Sequence, residues 1–193
     1  MRRYILTLIV FLIAAGTIGY SVYEWQTQKE EIVIQLAEIF DRIALPYRVA
    51  QLAGLPRDTA LLVPVAGVRL SEVADTWGQA RSEGRSHEGT DIFARRGTPV
   101  YAATRGYVVR VGENRLGGII VIAVGPGGIR YYYAHLDRIA DGIAFGTPVT
   151  TDTVLGFVGN TGNASGTPPH LHFGMYGRSG PENPYPLLVN RAD

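Results

Sequence analysis

The chain contains no cysteine, a single lysine (Lys29), and only four histidines in 193 residues. The missing cysteine excludes disulfides, thiol catalysis, thiolate metal sites and an acylated N-terminal Cys. Any metal site must therefore draw on His, Asp, Glu or backbone oxygen. An excess of charge of one sign is also lacking, because 18 basic and 17 acidic side chains leave a net charge of +1. A phosphate-tracking surface needs clustered Lys and Arg, so this balance, with arginines scattered along the chain, argues against nucleic acid as a partner. The length suits one compact domain plus an appendage and is too short for two ordinary domains.

Charge is absent from one long stretch. Residues Ile5 to Tyr23 form an uncharged, mostly apolar run preceded by Arg2 and Arg3 and followed by Glu24 and Trp25. A helix needs roughly 20 such residues to cross a bilayer core. Arginines on the N-terminal side alone predict a single-pass anchor in the cell membrane, here an inner membrane, with everything downstream on the periplasmic or extracytoplasmic face. The alternative is a signal peptide cleaved near Ala14-Ala15-Gly16, which would release a secreted protein. Beyond Trp25, Ile32, Leu36, Ile39, Phe40 and Ile43 recur at helical spacing among charged residues and predict an amphipathic stem that Pro46 ends. Such a helix could be a spacer, a dimerising stem or a helix packed on the main domain, the last being preferred. Ala53 to Thr59, with Gly54 and Pro56, reads as a linker.

From Ala60 onward, short β-branched and aromatic runs are punctuated by glycine. Strands are expected near Val100 to Ala103, Tyr107 to Val111, Ile119 to Val124, Ile129 to Ala134, Val154 to Val158 and His170 to Tyr176. Gly125-Pro126-Gly127-Gly128 reads as a tight turn that joins the third and fourth of these as a hairpin and delivers His135 to a strand end. The expected fold is mainly β: one antiparallel domain, with helix confined to the N-terminal quarter.

The chemistry-bearing residues are few. In a strand, positions i and i+2 share a face, so His170 and His172 point to one site while Leu171 faces the core. A lone histidine is ordinarily a satisfied core or surface residue, but two same-face imidazoles are costly to bury unless something binds them. His87 and Asp91 stand four apart, and Gly84 and Gly89 favour a loop entering a strand over a helix. Two histidines and a carboxylate suit tetrahedral zinc with an open fourth position. The HExxH zinc-protease signature is absent, so no glutamate following a ligand His can be assumed as base.

Several motifs then fall in one order: Val63-Pro64-Val65, Trp77-Gly78, His87-x-Gly89-x-Asp91-Ile92, Gly97-Thr98-Pro99-Val100, Ala102-Ala103 with Gly106, Tyr133-Ala134-His135-Leu136, Gly156-x-Val158-Gly159, Thr161-Gly162 and His170-Leu171-His172-Phe173. With these motifs the stretch from about Leu62 to Tyr176, about 60% of the chain, resembles the lysostaphin and LytM type of zinc metallopeptidase, which cleaves peptide bonds in bacterial peptidoglycan. The resemblance implies a LytM-like domain of the duplicated hybrid motif type over 59–178, after an anchor over 1–24 and a helical stem and linker over 25–58, with a tail over 179–193. It implies His87, Asp91 and His172 as ligands of one zinc ion. His135 and His170 become the pair that orients or deprotonates the attacking water and stabilises the developing oxyanion. A metal so held would lower the pKa of a bound water from about 15.7 toward about 7. An imidazole with an ordinary pKa of about 6.5 can accept a proton near neutrality and return it to the leaving amine.

The expected function is zinc-dependent hydrolysis of peptidoglycan peptides. The alternatives are a non-catalytic cell-wall-binding regulator of another hydrolase, and cleavage of exported proteins. The chain departs from the commonest family pattern at Gly174, where many members carry Glu, and in a longer Gly166-Thr167-Pro168-Pro169 insert; both bear on substrate contacts more than on the metal. Tyr131, Tyr132 and Tyr133 could line a groove, with packing preferred for Tyr132, while Asn160 and Asn163 read as turn formers. The Ser82 to Ser86 loop or the Arg178 to Asp193 segment could shade the metal.

Overall fold

The computed structural model describes residues 2–81 and 84–191, with the side chains of 2–22, 37–38 and 41–42 outside that description. Contacts divide the chain into two units, Met1–Ala44 and Leu45–Asp193. Among the described residues no helix is long and apolar enough to cross a membrane. Apart from Tyr23, the span expected over Ile5–Tyr23 falls on side chains outside the described set.

Helix α1 runs from Arg2 to Ala53 and carries Pro46 inside it, so the expected stop at Pro46 does not occur. A mid-helix proline removes one N–H and crowds the carbonyl four residues back, at a cost of about 3 kcal/mol. Tertiary packing offsets this in the second unit, where Leu45 is buried and the helix end rests on a glycine turn. A Cβ added at Gly128 would stand 3.2 Å from Cβ of Ala53. In the first unit Ile32, Phe40 and Ile43 are exposed.

The second unit is built on antiparallel sheet. Its strands are β1 (Leu61–Leu62), β2 (Thr90–Phe93), β3 (Pro99–Tyr101), β4 (Gly106–Asn114), β5 (Gly118–Val124), β6 (Arg130–Ile139), β7 (Pro148–Val149), β8 (Val154–Val158), β9 (His170–Gly177), β10 (Gly180–Glu182) and β11 (Leu188–Val189). The mainly β architecture thus matches the expectation, and the six expected strands are present within a few residues. The expected hairpin is β5 and β6, with Val124 opposite Arg130 across the glycine turn. Five further strands are short, and too few of their residues alternate for a sequence signal to emerge.

Among the described residues nine strands form one sheet, and β1 pairs in parallel with β11 in a separate ribbon. Strand β6 is the hub. One edge pairs with β5 from Arg130 to Leu136, whereas the other pairs first with β9, through Ala134 opposite His172, and then with β8, through Leu136 opposite Val158. His135 sits where the partner changes, with φ 62°. It lies within a strand and not at a strand end as expected, because a strand switching neighbours must bend, and a bulge supplies the bend. Strand β9 in turn pairs with β2, which sets Asp91 directly opposite His172.

Apolar side chains from the inner face make one core that includes Ile92, Tyr131, Tyr133, Leu136, Leu171 and Phe173. From alternate positions of β6, Tyr131 stacks on Phe173 and Tyr133 packs against it at a tilt. Strand alternation therefore turns Tyr132 to the other face. There it is half-buried beside His172, so the packing preferred for it falls to its two neighbours.

Candidate metal centre

The functional face is the polar side of β2, β6 and β9. On β9, His170 and His172 share this face while Leu171 is fully buried on the other, as strand periodicity requires. Asp91 reaches the same point from β2, across from His172. His87 arrives from a hairpin arm in which its N–H donates to the Gln79 carbonyl at 2.9 Å and its carbonyl accepts from the Gly78 N–H at 2.9 Å. Gly89 lets the chain pass beneath the ring of His172, where a Cβ would come within 2.6 Å of Cε1.

Three donor atoms converge. His87 Nε2 lies 2.9 Å from His172 Nδ1, His87 Nε2 lies 3.0 Å from Asp91 Oδ1, and His172 Nδ1 lies 3.1 Å from the same oxygen. Around a tetrahedral ion with bonds of about 2.0–2.1 Å, ligand atoms stand roughly 3.3 Å apart, so this near-equilateral triangle fits one face of such a site to within a few tenths of an ångström. The donor chemistry fits as well. Nδ1 of His87 is 2.7 Å from the Thr76 carbonyl, which can only accept; the ring proton is therefore on Nδ1, and Nε2 aims a lone pair at the centre. Thr76 also supports the carboxylate ligand, since its hydroxyl accepts the Asp91 N–H at 3.0 Å. The outer oxygen of Asp91 is held by Arg81. Among the described residues, His87, Asp91 and His172 are the group that could hold a metal ion.

Burial opposes ionisation of Asp91, yet hydrogen bonds and charge from His172 and His87 outweigh it and hold the carboxyl well below the usual range. Burial likewise pushes the imidazole of His172 down, partly countered by Asp91. Metal binding requires these groups as a carboxylate and as imidazoles with a free lone pair, and the lowered pKa values of Asp91 and His172 favour that state.

His135 and His170 flank this triangle. Their ring centroids are 5.0 Å apart, His135 is 5.8 Å from the ring of His172, and His170 Nε2 is 3.9 Å from Asp91 Oδ1. Each donates Nδ1–H to a backbone carbonyl at 2.9 Å, His135 to Thr161 and His170 to Pro168. Both Nε2 atoms are thereby left as acceptors. Burial first, then His172 and His170, lowers the His135 pKa to about 4, so that ring is neutral near pH 7.

All five sequence-predicted residues thus meet in one cleft of about 610 Å³. The hairpin bearing Arg81, Arg85 and Ser86 forms one wall; Ser82 and Glu83, also expected to shade the metal, lie outside the described residues. Described residues beyond Tyr176 do not line the cleft, because the C-terminal segment is engaged as β10 on β9 and β11 on β1. Tyr132 lines the cleft, as does Asn163, whereas Asn160 is engaged with Arg96 and with the Thr167 carbonyl. Sequence reasoning gave no role to Thr76, Arg81 or Thr161. Thr161 belongs to a motif, but Thr76 and Arg81 act through contacts that no local spacing encodes.

Residues 85–184 match the description of Peptidase family M23. The chain is 43% identical over 124 residues to the L-Ala–D-Glu endopeptidase of Bacillus subtilis, covering 58% of this chain and 38% of that protein. It is similar in fold to Csd3 of Helicobacter pylori, with a TM-score of 0.56 at 30% identity over 70% of this chain and 34% of the other. The catalytic domain of the antimicrobial peptidase lysostaphin from Staphylococcus simulans aligns with a TM-score of 0.54 at 29% identity, covering 61% of this chain and 92% of that domain. The chain thus spans well under half the length of the curated relatives it matches.

Proposed function

The chain belongs to peptidase family M23, and from that premise we propose that it is a zinc-dependent endopeptidase hydrolysing peptide bonds in bacterial peptidoglycan. The observation that carries this reading is the triangle of His87 Nε2, Asp91 Oδ1 and His172 Nδ1, with the imidazoles of His135 and His170 beside it in an open cleft. His87, Asp91 and His172 would hold the ion, which when bound supplies a Lewis acid for the scissile carbonyl and the attacking water.

The remaining steps belong to the chain's own side chains. With Nδ1–H committed to the Thr161 carbonyl, His135 accepts at Nε2 the proton that water loses as its oxygen bonds to the carbonyl carbon. His170, tied through Nδ1 to Pro168, brings a second Nε2 to the same space. The imidazole that has taken the proton is a cation. It stabilises the oxyanion, then delivers the proton to the departing amine as the C–N bond breaks. Arg81 keeps the outer oxygen of Asp91 occupied, which leaves Oδ1 facing the ligands.

The apolar run Ile5–Tyr23 behind Arg2 and Arg3 supports anchoring in the cell membrane with this domain on the extracytoplasmic side, where peptidoglycan peptides lie. The experiment is digestion of purified sacculi by the full chain with and without a chelator, followed by analysis of released peptides. Cleavage that chelation abolishes and zinc restores is expected; release insensitive to chelation, or no release at all, would sink the proposal.

A further inference from the structure

His135 is the one non-glycine residue with positive φ among the described residues. An L-residue avoids this region because its Cβ crowds the following carbonyl, and such strain persists only where the surroundings over-determine it. The surroundings here are specific. The His135 N–H donates to the Gly117 carbonyl at 2.7 Å, and its ring Nδ1–H donates to the Thr161 carbonyl at 2.9 Å. The hydroxyl of Thr161 donates to the carbonyl of Leu136 at 2.8 Å and accepts the N–H of Ile119 at 2.9 Å. One residue therefore bonds the imidazole, the residue that follows it in β6, and the start of β5. The approach is close enough to require glycine at position 118, where φ is +62° and a Cβ would lie 2.2 Å from Thr161 Oγ1.

We propose that Thr161 is a positioning residue for His135. Its hydroxyl locks the left-handed turn of β6, and its carbonyl fixes the imidazole as the Nδ1–H tautomer, so that Nε2 offers a lone pair to the cleft. The opposite tautomer would point an N–H into the cleft, where a proton acceptor is needed. This inference rests on the role given to His135 in the proposed function. Replacing Thr161 with valine keeps the branched shape but removes the hydroxyl, leaving the Ile119 N–H and the Leu136 carbonyl without it.

The test uses the full chain labelled with 15N at histidine. Two-bond 1H–15N correlation spectra, with and without added zinc, read the tautomer of each ring, and amine release from purified sacculi reads turnover. Wild-type His135 is expected as a single Nδ1–H form. Thr161→Val should show a mixed or exchanging tautomer and a rate lower by roughly tenfold to a hundredfold, with zinc stoichiometry unchanged. Thr161→Ser should restore both readouts. An Nε2–H form in the wild type, a single Nδ1–H form in Thr161→Val, or failure of serine to restore it would overturn the proposal. The wild-type spectrum decides even if the valine variant fails to fold. Sacculi left intact beside a locked, valine-sensitive tautomer would refute the peptidoglycan reading and support the clamp.

Discussion

His87, His135 and His170 each have Nδ1 bonded to a backbone carbonyl and Nε2 free of it, whereas His172 turns Nδ1 to His87 and Asp91. That division predicts different losses from single replacements. His87→Ala removes one corner of the donor triangle, so bound metal should be lost with turnover. His135→Ala leaves the triangle intact, so metal should be retained while turnover falls by on the order of 10²–10⁴, the usual contribution of a positioned acid or base. Metal analysis after equilibrium dialysis, paired with sacculus digestion, checks this; equal metal loss in both variants would erase the division of roles. The identities of the five residues were legible because histidines are scarce and each falls in a motif. Their supports were not. Thr76 contributes a backbone carbonyl to His87 and a hydroxyl to the Asp91 N–H. Neither contribution leaves a mark in spacing, since any residue has a carbonyl and threonine is common.

Among the elements, β9 does two jobs by alternation. His170 and His172 face the cleft, while Leu171 and Phe173 are fully buried in the core. Leu171→Ala should therefore destabilise the domain by about 2–5 kcal/mol through lost burial and a residual cavity. The replacement touches neither imidazole, so urea unfolding should show the loss while metal still binds the folded fraction. A cost under about 1 kcal/mol would mean that this face of β9 is not packed as described. The period-2 pattern made this strand readable. The bend in β6 was not readable, because it arises from exchanging β9 for β8 along one edge, and pairing partners far apart in sequence decide that. The continuation of α1 past Pro46 has the same origin, since local chemistry disfavours it and contacts made by Leu45 and Ala53 sustain it.

For the molecule as a whole, buried phenols set an alkaline limit. Burial raises the pKa of Tyr133, whose oxygen accepts the Ala103 N–H at 2.9 Å, and that of Tyr131; burial also pushes Tyr176 up to about 12. A group raised in the folded state contributes stability that is fully present below its unfolded value, about 10 for tyrosine, and is lost as pH rises through the folded value. Unfolding free energy should thus fall from about pH 10 upward, by up to about 1.4 kcal/mol per pH unit for each such phenol. Denaturant midpoints at pH 8 and pH 11 measure the effect. Tyr133→Phe should be less stable at pH 8, by about 1–3 kcal/mol for the unsatisfied Ala103 N–H, yet show a shallower alkaline decline; an unchanged decline would contradict the assignment. By itself the sequence determined the β-rich class and the central hairpin, because strand periodicity and glycine turns are local properties of a chain, while the scarce histidines and the order of the motifs pointed to the five residues that meet in the cleft. Only the tertiary structure decided that Asp91 stands opposite His172, that β6 bends at His135, and that Thr76, Arg81 and Thr161 hold the site. Those facts depend on which distant groups pair, and hydrogen bonding between segments as far apart in sequence as Asp91 and His172 is settled by packing the whole sheet.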